Sequence, residues 1–303
     1  MSAASLYVGF EVRDVETSRG AVHAVVGGHG PPVLLLHGYP QSLVMWWAVA
    51  PLLAERHTVV ASDLAGYGAS FRPAPAADRA PHSKRAMALD QIEVMAALGF
   101  DRFAIAGHDR GGRVAYRMAL YHPDAVERLA VLDIVPTGEV WGRVDAKVAR
   151  GYWHWSFLAQ PAPLPERLIG GDPQAFFDVH VRGQLGLGTA AGRYPPEVLD
   201  AYRRTLDDPA AVEAMCEDYR AGATIDVEHD DADREAGRRI ACPTLVLWSA
   251  RGGLPRFYPD VLDVWRPWAP DLRGRGIDGS HFLAEDCPET VASELLAFTN
   301  QED

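Results

Sequence analysis

The period of hydrophobic positions changes several times along this chain, and each change marks an element. From about residue 10 to residue 26, apolar and polar residues alternate around Ser18-Arg19-Gly20. That period predicts an antiparallel hairpin at the edge of a sheet. Val33-Leu34-Leu35-Leu36 is instead an unbroken apolar run ending at His37-Gly38, as expected of a parallel strand buried on both faces. A helix is predicted near residues 46–56, a short strand over 58–62, and then a glycine-punctuated loop, Asp63-Leu64-Ala65-Gly66-Tyr67-Gly68-Ala69-Ser70. Helical spacing over 84–98 stops at Gly99, a C-cap. A strand over 103–106, a helix over 111–121 and a strand over 129–132 ending at Asp133 complete the first half.

Strands alternating with helices imply right-handed βαβ units and a mostly parallel sheet. From 136 to 231 the strand rhythm vanishes. That segment is rich in tryptophan, proline and helical patches and reads as an inserted helical cap. The α/β core is therefore expected over 1–135 and 232–303, with strands over 244–248 and 272–277, a helix over 261–268, and a closing helix over 288–298 begun by Pro288 at a favoured first position.

Composition narrows the function classes. The 303 residues are 48% hydrophobic and 23% charged, an ordinary globular balance, and the formal net charge of -12 argues against a nucleic-acid partner. Cys216, Cys242 and Cys287 have no C-x-x-C spacing, so neither a disulfide framework nor a zinc site is expected. The eleven histidines show no H-x-x-x-H spacing with carboxylates, so no metal and no cofactor is implied. Met1-Ser2-Ala3-Ala4-Ser5-Leu6 is not a secretory signal, and no apolar stretch is long enough to span a bilayer. A cytoplasmic protein without membrane partners is the expectation. The Pro/Ala-rich piece over 73–81 reads as a surface loop.

The chemistry concentrates at Gly107-His108-Asp109-Arg110-Gly111, which follows the strand over 103–106. This is a nucleophile-elbow pattern, in which a sharp turn between strand and helix lifts one side chain over the top of a sheet. Asp109 stands where a serine is usual. A carboxylate there attacks a saturated carbon and becomes an ester that must then be hydrolysed. His37-Gly38, the loop from Asp63 to Ser70, the Asp109 elbow and Gly279-Ser280-His281, in that order, resemble the α/β-hydrolase fold over nearly the whole chain. That resemblance implies an eight-stranded, mostly parallel sheet flanked by helices. Alone, Asp109 reads as a helix N-cap and His281 as incidental; in this order they read as nucleophile and general base. The strand after the cap ends in Trp248-Ser249-Ala250-Arg251-Gly252-Gly253, with no acid. Asp133 is therefore assigned as the carboxylate that orients His281, against the alternative of a structural turn residue.

Arg110 and Arg113 lie one helical turn apart beside Asp109. A solvated face is the plain alternative. Yet a carboxylate nucleophile repels an anionic substrate, and two guanidinium forks are suited to hold a substrate carboxylate in line for attack. A small acid is the expected substrate. The elbow, the His154-Trp155 pair and Tyr219 together resemble the fluoroacetate (haloacetate) dehalogenase family. That resemblance implies Asp109 as nucleophile, His281 as base and Asp133 as acid, Arg110 and Arg113 as the carboxylate site, and His154, Trp155 and Tyr219 as donors to the departing halide. It also implies a homodimer. The backbone N–H groups of Tyr39 and Arg110 are expected to form the oxyanion hole. The family's bulky cap aromatic aligns roughly with Gln184, which would either open the pocket to acids larger than haloacetate or hold fluoroacetate loosely and favour chloroacetate. An epoxide hydrolase uses the same triad but needs two tyrosines, for which Tyr152, Tyr194, Tyr202 and Tyr219 are candidates. A non-catalytic ligand receptor on this fold is the rival from another class.

Overall fold

The structure is a computed structural model and describes residues 6–181 and 194–300. Among the described residues eight strands form one sheet, in the order β1-β2-β4-β3-β5-β6-β7-β8. They are β1 (Glu11–Glu16), β2 (Ala21–Gly28), β3 (Pro32–Leu36), β4 (Thr58–Ser62), β5 (Phe103–His108), β6 (Val126–Leu132), β7 (Thr244–Ser249) and β8 (Leu272–Ile277). β1 pairs antiparallel with β2, and β2 antiparallel with β4; the remaining pairs are parallel. This is the eight-stranded, mostly parallel sheet that the resemblance to the α/β-hydrolase fold implies. All six residues of β5 are buried, which is why no polar residue interrupts its run before His108.

Several boundaries differ for identifiable reasons. The helix expected near 46–56 is instead a 3-10 turn, Leu43–Trp46, followed by a short helix, Ala50–Ala54, which carries Pro51 in its first turn. Proline lacks the N–H that an uninterrupted helix would need there. The helix expected over 261–268 ends at Trp265, two residues before Pro267. By contrast, the helix Lys84–Ala97 stops where Gly99 takes φ +88°, and the final helix, Pro288–Thr299, opens on its proline.

Between β6 and β7 the described chain is helical, and its longest helices are Pro196–Asp207, Pro209–Gly222 and Ile225–Glu235. No described helix is long and apolar enough to cross a membrane. The insertion is tied to the sheet by buried ions. Arg117, on the helix Asp109–Tyr121 behind β5, pairs with Asp230 and Asp233, and the Tyr116 hydroxyl donates to Asp230 at 3.0 Å. Asp230 also accepts from the Gly138 N–H at 2.7 Å. Removing the cation would leave Asp230 buried with no cation beside it among the described residues and Asp233 with only the exposed Arg238, at a loss of about 3–5 kcal/mol. Arg117→Ala is therefore expected to lower the thermal midpoint by roughly 5–10 °C, measured by differential scanning calorimetry; an unchanged midpoint would mean these ions carry no weight in docking the insertion.

Candidate active site

The elbow is built by close approach. A Cβ on Gly107 would lie 2.4 Å from the Gly111 carbonyl oxygen, and one on Gly111 would lie 2.4 Å from that of His37, so neither position accepts a larger residue without moving backbone. The turn leaves Asp109 at φ +45°, a left-handed conformation that costs an L-residue roughly 1–2 kcal/mol. Asp133, at the end of β6, holds φ +52°. Both carboxylates expected to do chemistry thus sit on strained backbone at carboxyl ends of adjacent strands, where such sheets collect their active groups.

His281 lies between them. Its Nδ1 is 2.6 Å from Asp133 Oδ2 and its Nε2 is 4.0 Å from Asp109 Oδ2. The Ser249 N–H donates to Asp133 Oδ1 at 2.9 Å, so the strand end that carries no acid instead supplies a donor that fixes one. The Tyr39 N–H donates to Asp109 Oδ1 at 2.9 Å. Burial alone would raise the Asp109 pKa, but His281, Arg110 and Arg113 outweigh it and hold the carboxyl well below its usual range. Burial pulls the His281 pKa down, and the hydrogen bond and charge of Asp133 together with the charge of Asp109 more than offset that, leaving it above the ordinary value.

The arginine pair departs from the expected picture of two free forks. Both side chains are buried. The Arg110 fork is occupied by Asp218 of the insertion: Nε donates to Oδ2 and Nη2 to Oδ1, each at 2.8 Å. The physical reason is desolvation, because a guanidinium with no exposure needs a carboxylate beside it. Arg110 Nη1 has no hydrogen-bond partner among the described residues. Arg113 Nη1 donates to the Val135 carbonyl at 2.9 Å and to the Thr137 hydroxyl at 3.2 Å, while its Nε has no described partner.

The aromatic residues close over these cations. The Arg110 guanidinium lies 4.2 Å from the Tyr219 ring centre, and that of Arg113 lies 4.5 Å from the Trp155 ring centre. The Tyr39 ring stacks on His154 at 6.1 Å and meets Tyr219 edge-on at 5.1 Å. The Tyr39 and Tyr219 hydroxyls and His154 Nδ1 are buried without a described partner. Burial, with His180 close by, keeps His154 well below its ordinary pKa and therefore neutral. Of the other candidate tyrosines, Tyr202 donates to Glu285 at 2.6 Å and Tyr194 to Asp286 at 3.1 Å, whereas Tyr152 stacks on Trp155. Gln184 lies outside the described residues.

Four residues at this site had no role in the sequence reading. Asp218 immediately precedes Tyr219, and the only available signal was that a buried Arg110 would require an acid. His180 lies 4.5 Å from His154, ring centre to ring centre, and its Nε2 has no described partner; a lone histidine in a helical segment gives no warning of this. Gln41 and His108 flank the His37-Gly38 and Asp109 motifs but carry no spacing signature of their own.

Six buried polar atoms without described partners, from Tyr39, Arg110, Arg113, His154, His180 and Tyr219, gather in one ring-contacted cluster. An unsatisfied buried polar group costs about 1–3 kcal/mol, so this concentration marks the cluster as a candidate ligand site. The α/β hydrolase fold family profile matches residues 31–286. A Burkholderia sp protein named fluoroacetate dehalogenase is 49% identical over 293 residues, covering 97% of this chain and 95% of that one. A soluble epoxide hydrolase of Corynebacterium sp. (strain C12) is 31% identical over 295 residues, covering 91% and 93%. The crystal structure of ALR0039 from Nostoc sp PCC 7120, described as an α/β hydrolase, superposes with a TM-score of 0.93 at 45% identity, covering 97% of this chain and 99% of that one. On fold, coverage and identity together, the chain belongs to the α/β-hydrolase family and, within it, to the fluoroacetate dehalogenases.

Proposed function

We propose that this hydrolase displaces halide from a small 2-haloacid such as haloacetate and releases the 2-hydroxyacid, with the insertion over 136–231 acting as a cap. The observation that carries this reading is the pair of buried cations, each with an unpartnered nitrogen, beside an ionised carboxylate and under a set of unpartnered donors. An uncharged substrate would leave Arg110 Nη1 and Arg113 Nε unsatisfied; a carboxylate satisfies both. With the acid so held, Asp109 Oδ2 attacks C2 and the C–X electron pair leaves with the halide. Neutral His154, Trp155 and Tyr219 offer N–H and O–H donors to the charge that develops on it, in a dry site where such donors act strongly. Asp109 Cγ is then the ester carbon. His281 takes a proton from water, the hydroxide adds to Cγ, and the Tyr39 N–H, with that of Arg110, stabilises the oxyanion on Oδ1. His281 returns the proton to the departing alkoxide, and the carboxylic acid left at Asp109 loses its proton to solvent by way of the now neutral His281, which regenerates the carboxylate.

Esterification removes the Asp109 charge that helps to raise the His281 pKa. The base therefore becomes easier to deprotonate at the step that needs it neutral.

A second reading is favoured by one observation: the Tyr39 and Tyr219 hydroxyls are both free of described partners, with rings 5.1 Å apart. Two phenols so placed suit protonation of an opening epoxide. The arginine nitrogens are what that reading leaves unexplained.

Halide release measured by ion chromatography from fluoroacetate, chloroacetate and 2-chloropropionate, with Asp109→Asn as the blank, tests the proposal. Release from at least one acid, and none from the variant, is expected; turnover of epoxides without any halide release would transfer the assignment to the second reading. His281→Asn is expected to halt after the first step, with a carboxymethyl group added to the peptide bearing Asp109. Mass spectrometry of the digested variant after exposure to chloroacetate checks this, and an unmodified peptide after halide release would rule out the ester. Finally, ester hydrolysis followed in a single turnover should be fast above the His281 pKa and slow as pH falls through it. That acid limb should lie at lower pH than the His281 titration in the free protein followed by NMR; a limb at equal or higher pH contradicts an esterified Asp109 beside this base.

A further inference from the structure

The catalytic base is held at two points, and only one of them is the Asp133 contact. His281 follows β8 on a loop, and its main-chain carbonyl is 2.9 Å from His108 Nε2. From there a line of buried polar groups runs away from the substrate. His108 Nδ1 is 3.1 Å from the Gln41 side-chain amide, the other end of that amide is 2.5 Å from Glu285 Oε2, and Glu285 Oε1 accepts from the Tyr202 hydroxyl at 2.6 Å. None of these groups enters the two chemical steps described above.

Once His108 is taken as neutral, counting protons along the line leaves one arrangement. A carbonyl oxygen only accepts, so His108 must carry its proton on Nε2. Burial, and the neighbouring His281, push the His108 pKa down to about 3, so the ring is neutral and Nδ1 is a bare acceptor. Gln41 must then present its NH2 group to His108. The amide as placed has Oε1 toward His108 and Nε2 toward Glu285; a half-turn about its terminal bond exchanges the two without changing its shape. With NH2 facing His108, the Gln41 carbonyl faces Glu285 at a short distance, and the carboxyl must supply the proton. Burial first, and then Asp286, push the Glu285 pKa up to about 8, with Tyr202 and Gln41 acting in the opposite direction. The groups facing this carboxyl are Asp286 on its own helix, Tyr202 from the insertion helix Pro196–Asp207, Gln41 from the loop after β3, and Tyr7 from the N-terminal segment.

We propose that protonated Glu285, Gln41 and the Nε2–H tautomer of His108 form a directed hydrogen-bond chain that positions the backbone of the base His281. Two consequences bear on catalysis. The chain fixes where the His281 ring stands relative to Asp109, at a place where a displacement near 1 Å can lower turnover about 100-fold. A neutral His108, 4.6 Å from the His281 ring, also sets no fixed positive charge against the imidazolium formed while water is activated. Because Tyr202 is part of the insertion, seating of that segment and placement of the base share one set of bonds.

These are positioning residues, and their role in turnover rests on the dehalogenase reading above. The first test does not. Nitrogen-15 NMR of the histidine rings in the unmodified protein at neutral pH should show His108 as the Nε2–H tautomer; an Nδ1–H or cationic ring overturns the chain. For function, Glu285→Leu and Gln41→Met, which cut the chain at successive links, should each lower kcat for halide release about 10–100-fold while KM changes little. Glu285→Gln should rescue, returning kcat to within about threefold, because its amide NH2 replaces the acid O–H as donor to Gln41. If the glutamine variant is as slow as the leucine variant, Glu285 is needed as an anion and the proposal fails. Wild-type protein that releases no halide would refute the dehalogenase reading alone, with the tautomer still deciding the chain.

Discussion

The buried ion pair between Arg110 and Asp218 is the constraint on which the site depends. Arg110 belongs to the elbow and Asp218 to the insertion, and neither side chain has any exposure to solvent. Charges in that position are tolerated only when their hydrogen bonds are nearly complete. The Tyr67 hydroxyl donates to the same carboxylate at 2.6 Å, and the Lys84 ammonium also pairs with it. Such a cluster is weak evidence for stability, since apolar groups of equal volume often do as well. Its consequence is geometric. It fixes the helix Pro209–Gly222 against the strand ends, so that Tyr219, the next residue, lies over the Arg110 guanidinium.

The same electrostatic field separates two titrating neighbours. Asp109 is pushed down and His281 up, and their environments therefore suit the opposite roles proposed for them, an anion ready to attack and a base that accepts a proton. Strained backbone at Asp109 and Asp133 persists because packed strands leave it no cheaper conformation. In the proposed reaction, fixed dipoles would need little reorganisation as charge moves from the nucleophile to the leaving group.

Burial also explains the polar chain behind the base. In water, Glu285 would be an anion and His108 free to take either tautomer; away from water, each group must match its neighbour, and one choice at the His281 carbonyl propagates to Tyr202. A network of this kind specifies a single arrangement when every member is satisfied. It places a residue of the insertion in the same bonded system as the catalytic base, although the two never touch.

The chain's own periodicity determined much of this. Continuous apolar runs located the inner parallel strands, Gly107 and Gly111 marked the elbow, and Gly99 and Pro288 marked helix ends, because each is a local consequence of backbone geometry or of burial on two faces. The order of His37-Gly38, Asp109, Asp133 and His281 was equally legible, since the strand ends on which they lie follow from the topology. What only the tertiary structure decided is which charges and hydrogen bonds those residues would have left over. Gln41 meets Glu285 across 244 positions and Arg110 meets Asp218 across 108, and no spacing rule relates residues so far apart. Whether Arg110 offers a whole fork or a single nitrogen is set by the acid that packing brings beside it, and packing is a property of the folded chain as a whole.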